Sequence, residues 1–356
     1  MIDNKCLQVG RPHILILLLA SLLILPGCQL KNSRTFTFTY TVNLEPSNGE
    51  KVELWLPFPK SNEVQVISNI DILCEGLSYE VKKEKKHNNK YLYIYNNDGI
   101  NKSTVIEMSF DVLRFEHQNM YYTNVNPNDY LEASSMVPVG NIFSQIIEIN
   151  NLNHDDMKGL YDYVLSGMHY GKPKSKDNQY YNDPWLSADK KYGIKKVSRD
   201  KVVELYKKSK ISNSTYTFGN GNSLYACDIG VGNCTDYHSY FMSLSRTMEV
   251  PARFHMGFPI PIGNEGKVGG YHCWADYYID EEGWFPVDIS EADKDKSKED
   301  YFFGNLDNHR VEMMVGRDFV LDGYEQEVAN LFIYPILEVG DKESKAFKKD
   351  FSYKNL

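Results

Sequence analysis

Residues 270–288 constrain this chain more tightly than any other stretch. The run Gly270-Tyr271-His272-Cys273-Trp274-Ala275-Asp276-Tyr277-Tyr278-Ile279 has the aromatic and β-branched content of a strand. Asp280-Glu281-Glu282 is turn material, and Gly283-Trp284-Phe285-Pro286-Val287-Asp288 reads as a second short strand. A three-residue loop sets Ile279 opposite Gly283, and therefore Trp274 opposite Asp288. His272 and Asp288 then share a face as diagonal neighbours, about 7–8 Å apart at the backbone and within side-chain reach. A four-residue loop would put them on opposite faces. One hairpin register decides whether an imidazole and a carboxylate meet.

Upstream, Gly232-Asn233-Cys234-Thr235-Asp236 leads into Tyr237, Tyr240, Phe241, Leu244 and Met248, which fall at helical spacing until Pro251. Cys234 is expected in the first turn of a buried helix. Unpaired backbone N–H groups and the positive end of the dipole favour a thiolate there, and can hold a developing oxyanion. Taken alone, a cysteine in such a place is more often a small buried hydrophobe. Joined by His272 as base and Asp288 as the group that orients the imidazole, it becomes a candidate catalytic triad. Asp236 reads as support for the helix start, Trp274 and Trp284 as wall and core, and Arg253 as a strand-end salt bridge. His238 and His255 lack any recognised zinc spacing with Cys234, so neither metal nor cofactor is expected.

The set G-x-C-x-D, H-x-W and G-W-x-x-x-D, with Val250-Pro251-Ala252-Arg253 between the first two, resembles the transglutaminase-like superfamily of papain-related cysteine enzymes. The likeness spans roughly residues 216–293 and continues more weakly to about 335. Gly304-Asn305-Leu306 and Gly316-Arg317-Asp318 resemble tail segments of bacterial exported members. The resemblance implies an α+β fold in which a cysteine-bearing helix packs on an antiparallel sheet. It also implies Cys234 as nucleophile, with its backbone N–H serving the oxyanion, His272 as base and Asp288 as orienting acid. For a side-chain oxyanion donor, Trp185, Asn220 and Tyr225 are the residues considered.

The rest of the chain frames this core. Residues 34–115 alternate apolar and polar side chains in runs such as Phe36-Thr37-Phe38-Thr39-Tyr40, which predicts a β-sandwich-like accessory domain. Residues 116–150 read as a connection, 151–335 as the catalytic domain and 336–356 as a tail. Helices are expected over 155–168 and 198–208, with a tyrosine-rich surface excursion between them. At the start, Lys5 and Arg11 precede an apolar run from Ile14 to Leu25, too short for the ~20 residues of a spanning helix. It ends in Leu25-Pro26-Gly27-Cys28, which resembles a lipoprotein signal: residues 1–27 would be removed, Cys28 lipidated, and 28–33 would form a tether. A plain signal peptide and an uncleaved anchor are the alternatives. Each version places the body outside the cytoplasm, facing the periplasm or the cell exterior.

A disulfide among Cys74, Cys227 and Cys273 stays open at this level. The net charge of -9 over 356 residues argues against a nucleic-acid partner. The expected chemistry is attack on an amide carbonyl through a thioester acyl-enzyme, with hydrolysis of a peptide or peptide-like amide as the leading outcome. A crosslinking acyltransferase and a non-catalytic binding or scaffold protein are the alternatives.

Overall fold

A computed structural model describes residues 32–171, 191–324, 326 and 328–356. The leader, Cys28, Trp185 and most of the tyrosine-rich excursion lie outside the described residues.

Strand β1 (Ser33–Leu44) shows why the first part of the chain folds as sheet. Phe36, Phe38, Tyr40, Val42 and Leu44 are buried, while the residues between them stay partly open. Next come β2 (Val52–Phe58), β3 (Gln65–Leu73), β4 (Ser78–Lys83), β5 (Lys90–Asn96) and β6 (Thr104–Phe115). Helices α1 (Ile142–Asn150) and α2 (Met157–Gly167) lead to β7 (His169–Tyr170). Beyond the excursion lie β8 (Lys191–Tyr192), β9 (Val197–Ser198), α3 (Arg199–Ser212), α4 (Ser223–Ile229) and β10 (Val231–Gly232). The core continues with α5 (Cys234–Thr247), β11 (Ala252–Pro259), β12 (Glu265–Lys267), β13 (His272–Ile279), β14 (Gly283–Val287), α6 (Ile289–Lys294) and β15 (Arg310–Val315). It closes with β16 (Ile336–Val339), β17 (Glu343–Ser344) and β18 (Phe347–Asn355).

Among the described residues, two five-stranded antiparallel sheets run β12-β18-β1-β6-β3 and β17-β16-β2-β5-β4, with inward side chains in one apolar core. A third sheet, β14-β13-β11-β15, carries α5 on one side. The architecture is α+β, as expected.

Two expectations change. Residues 336–356 are not a tail. β16 pairs with β2, setting Ile336 opposite Trp55, and β18 pairs with β1 from Phe36↔Asn355 to Leu44↔Phe347. Lys348 and Lys354 occupy the open face, while Phe351 and Tyr353 alternate into the core. The sandwich therefore draws strands from beyond residue 335 and, through β12, from the middle of the core. Residues 116–150 are also more than a connection. Asn141-Ile-Phe-Ser-Gln-Ile-Ile forms the start of α1, whose Phe143 and Ile146 are buried against the helical layer. Its β-branched residues are weak helix formers, so local propensity gave little sign of it.

Candidate active site

The first turn of α5 is held from both sides. Asn233 caps it by accepting hydrogen bonds from the N–H groups of Thr235 (3.0 Å) and Asp236 (3.4 Å). The Asp236 carboxylate accepts in return from the N–H groups of Asn233 (3.0 Å), Gly219 (2.8 Å) and Gly221 (3.0 Å). This is a capping box, tied in addition to the loop before α4. Asp236 therefore supports the helix start. Every residue from Cys234 to Arg246 is buried, so the helix is enclosed all round rather than along one stripe. Several of its polar side chains find partners inside: Ser239 accepts from Arg317 (2.6 Å) and Ser245 donates to the Val250 carbonyl (3.0 Å).

The hairpin has the register that the three-residue loop requires. Ile279 lies opposite Gly283 and Ala275 opposite Val287, with Glu281 and Gly283 at positive φ to make the turn. His272 Nε2 consequently meets Asp288 Oδ2 at 2.7 Å. The other ring nitrogen remains for Cys234, whose thiolate helps to raise the imidazole. Cys234, His272 and Asp288 are thus brought together, each buried.

Asp288 is also the cap of α6, accepting from the Glu291 N–H (3.2 Å) and the Ser290 hydroxyl (3.0 Å). Arg310, at the start of β15, donates to the same Oδ2 at 3.0 Å and lies 5.1 Å from the Trp274 ring centroid. Burial opposes the charge on Asp288, but the His272 and Arg310 cations hold its carboxyl well below the usual range. For His272, burial acts against the cation, yet the adjoining carboxylate and the Cys234 thiolate raise it to about 10. The Cys234 thiol is pushed well below its ordinary value, first by a hydrogen bond from Cys273, against burial, and then by His272 and His238. The site rests as a thiolate–imidazolium pair.

Three contributors escaped sequence reasoning. His238, one turn beyond Cys234, accepts the Ile289 N–H at Nε2 (3.1 Å), so its Nδ1–H donates to the Cys234 carbonyl at 2.7 Å. It pins the nucleophile's backbone to the residue after Asp288, with both ring nitrogens engaged by backbone groups. Arg310 lies outside the hairpin motif, so nothing in that motif announced it. Tyr170 arrives because β7 pairs in parallel with β10, setting it beside Gly232. Its hydroxyl is hydrogen-bonded to Lys294, in the field of Cys234, and the Lys294 ammonium lies 4.1 Å from its ring centroid.

The remaining assignments fall into place structurally. Arg253 and Asp276 form a buried bidentate ion pair, and His255 bridges Asp276 (3.1 Å) to Glu312 (2.8 Å). Trp274 and Trp284 are buried, the first stacked on His255 and the second 4.0 Å from the Arg253 guanidinium. Tyr225 donates to the Val231 carbonyl (3.1 Å) and the Asn220 carbonyl accepts from Arg317 (3.1 Å), so both serve local structure. All four cysteines among the described residues are free.

Comparison with known proteins agrees with this architecture. Residues 188–289, which contain Cys234, His272 and Asp288, match the model of the transglutaminase-like superfamily. An uncharacterized protein of Haemophilus influenzae is 26% identical over 378 residues, spanning 90% of this chain and 91% of the relative. The crystal structure of a candidate cysteine protease from Cytophaga hutchinsonii superposes with a TM-score of 0.50 at 10% identity, covering 91% of this chain and 98% of the other. The periplasmic domain of TgpA from Pseudomonas aeruginosa gives a TM-score of 0.31 at 11% identity, over 74% of this chain and 92% of the other. Residues 188–289 thus resemble a transglutaminase-like core, set in an α+β fold similar to that of the Cytophaga hutchinsonii structure.

Proposed function

We propose that this protein is an exported cysteine hydrolase that attacks amide carbonyls of peptides or peptide-like substrates. One observation carries the reading: the Cys234 thiol, the His272 imidazole and the Asp288 carboxylate come together in a buried site, with His272 Nε2 bonded to Asp288 Oδ2 at 2.7 Å and the thiol acting on the imidazole. The thiolate adds to the carbonyl carbon, and the oxyanion that forms is received by the Cys234 N–H at the helix start. The capping side chain of Asn233 takes up the N–H groups of Thr235 and Asp236 rather than that one. His272, protonated at rest, delivers its proton to the leaving amine as the thioester forms. It then draws a proton from water, which resolves the acyl-enzyme. Asp288, itself fixed by Arg310, keeps the imidazole pointed and stabilises its charge.

The leader and Cys28 support export and a lipid anchor, which would leave the enzyme on a membrane surface with peptide or protein substrates. No helix of the described residues is long and apolar enough to cross a membrane.

The test is acylation by a thiol-directed acyl probe, followed by release of the acyl group into water. Cys234→Ala should abolish labelling, and undiminished labelling of that variant would overturn the assignment. Transfer of the acyl group to an added amine in preference to water would replace hydrolysis by crosslinking.

A further inference from the structure

Next to the nucleophile stands a second thiol that makes no bond to substrate in the acyl-transfer chemistry. Residues 234 and 235 open α5, and 272 and 273 open β13, so the two beginnings lie against each other. Across this junction His272 and Cys234 shift each other's protonation, and the Thr235 hydroxyl lies 3.7 Å from the Cys273 sulfur. The same hydroxyl meets the Tyr271 hydroxyl at 3.0 Å, which fixes it on the Cys273 side of the junction. Cys273 acts directly on Cys234, lowering its thiol while its own is raised, which makes the two sulfurs near neighbours across the junction. The other free thiols are tied elsewhere: Cys74 to the Leu77 carbonyl at 3.8 Å, and Cys227 to Tyr240. Cys273 is fully buried, whereas Cys234 keeps 3% of its surface. A diffusing oxidant therefore meets Cys234 first.

We propose that Cys273 is the resolving partner of Cys234, closing a reversible disulfide with it when a hydroperoxide oxidises the nucleophile. The proposal rests on Cys234 being a thiolate, as the proposed function does. In the first step the Cys234 thiolate attacks the outer peroxide oxygen. An S–O bond forms, the O–O bond breaks, and the departing oxygen takes the His272 proton to leave as an alcohol, or as water from hydrogen peroxide. In the second step the Cys273 sulfur attacks the sulfenic sulfur. Its proton passes to the now neutral His272 and on to the leaving hydroxide, so an S–S bond forms, the S–O bond breaks and water departs. Two thiols are oxidised and one peroxide is reduced. The nucleophile is thereby held in a form that a dithiol restores, instead of advancing to sulfinic acid. The Cys273 thiol, raised by burial and by its neighbour, stays protonated and donates its hydrogen bond until then.

The experiment follows thiol masses in the full chain treated with stepwise hydrogen peroxide, then denatured, alkylated without reduction and digested. In the wild type a crosslinked pair carrying Cys234 and Cys273 should accumulate, lighter by two hydrogens, and dithiothreitol should restore alkylation of both. Cys273→Ala should convert Cys234 to sulfinic acid with no recovery, whereas Cys74→Ala and Cys227→Ala should leave the crosslink in place. Cys273→Ser, which keeps a polar partner for Thr235, serves if the alanine variant does not fold. Sulfinic Cys234 beside free Cys273 in the wild type would overturn the proposal, as would a bond from Cys234 to Cys74 or Cys227. Because the readout is mass, a protein that forms the crosslink but hydrolyses no amide sinks only the proposed function. One that hydrolyses but forms no crosslink sinks only this inference.

Discussion

His272 Nε2 and Asp288 Oδ2 lie 2.7 Å apart because three residues, and not four, join the strands that carry them. Lengthening that loop by one residue would turn Asp288 to the other face and strand a buried imidazole beside the thiol.

The pair fixes the pH behaviour of the nucleophile. With the Cys234 thiol depressed and His272 raised to about 10, the thiolate–imidazolium form spans the neutral range. Alkylation of Cys234 by iodoacetamide should change little between pH 6 and 8.5. Turnover should fall as His272 loses its proton near pH 10. In His272→Ala the thiol should rise towards the free-cysteine value of about 8.5, slowing alkylation at pH 6 relative to pH 8.5 by up to about a hundredfold, less by whatever Cys273 still contributes. A pH-independent rate in that variant would contradict the arrangement.

Asp288→Asn should leave the fold intact and lower kcat about a hundredfold or more, since the amide cannot stabilise the imidazolium. Arg310→Met acts one step further out. It should lower kcat about tenfold and move the upper limb of the pH–rate profile upwards, because a cation has been taken from beside the carboxylate. Steady-state kinetics across pH distinguish this from a simple loss of stability.

Tyr170 offers a hydroxyl beside the nucleophile, bonded to Lys294. Tyr170→Phe should reduce kcat by about a hundred- to a thousandfold, the scale of one donor to a developing oxyanion. Alkylation of Cys234 should be unaffected. Equal losses in alkylation and turnover would assign Tyr170 to thiolate support instead.

Arg253→Ala leaves Asp276 buried with only His255 to answer its charge. Urea unfolding should show a loss of about 3–5 kcal/mol. The Arg253 and His255 cations overcome burial to hold the Asp276 carboxyl below its unfolded value. Its contribution is therefore complete above about pH 4 and is lost as the pH falls below that. The gap between wild type and variant should narrow in acid.

The hairpin, the cysteine helix and strands such as β1 and β6 were legible because each obeys a local rule: loop length, helical spacing or alternation. His238, Arg310 and Tyr170 obey none. His238 acts by hydrogen bonds to backbone that only the folded helix brings near, and Arg310 reaches Asp288 from a strand 22 residues further on. Tyr170 is delivered by a two-residue parallel pairing, too short to leave a periodic trace. β18 was hidden for another reason, since lysines on its solvent side masked the alternation of Phe351 and Tyr353.

That strand sets a condition on when the molecule can exist. β1 pairs with β6 early, but gains its second partner only once residues 347–355 have emerged from whatever makes or exports the chain. Every group of the triad is then already outside, on a sheet whose neighbouring sandwich still shows an open edge. Such an edge invites pairing with other chains, and contacts this distant in sequence form slowly. A copy broken off before Phe347 would carry the full chemistry and no finished frame, so completeness of the polypeptide governs when the nucleophile is put to use.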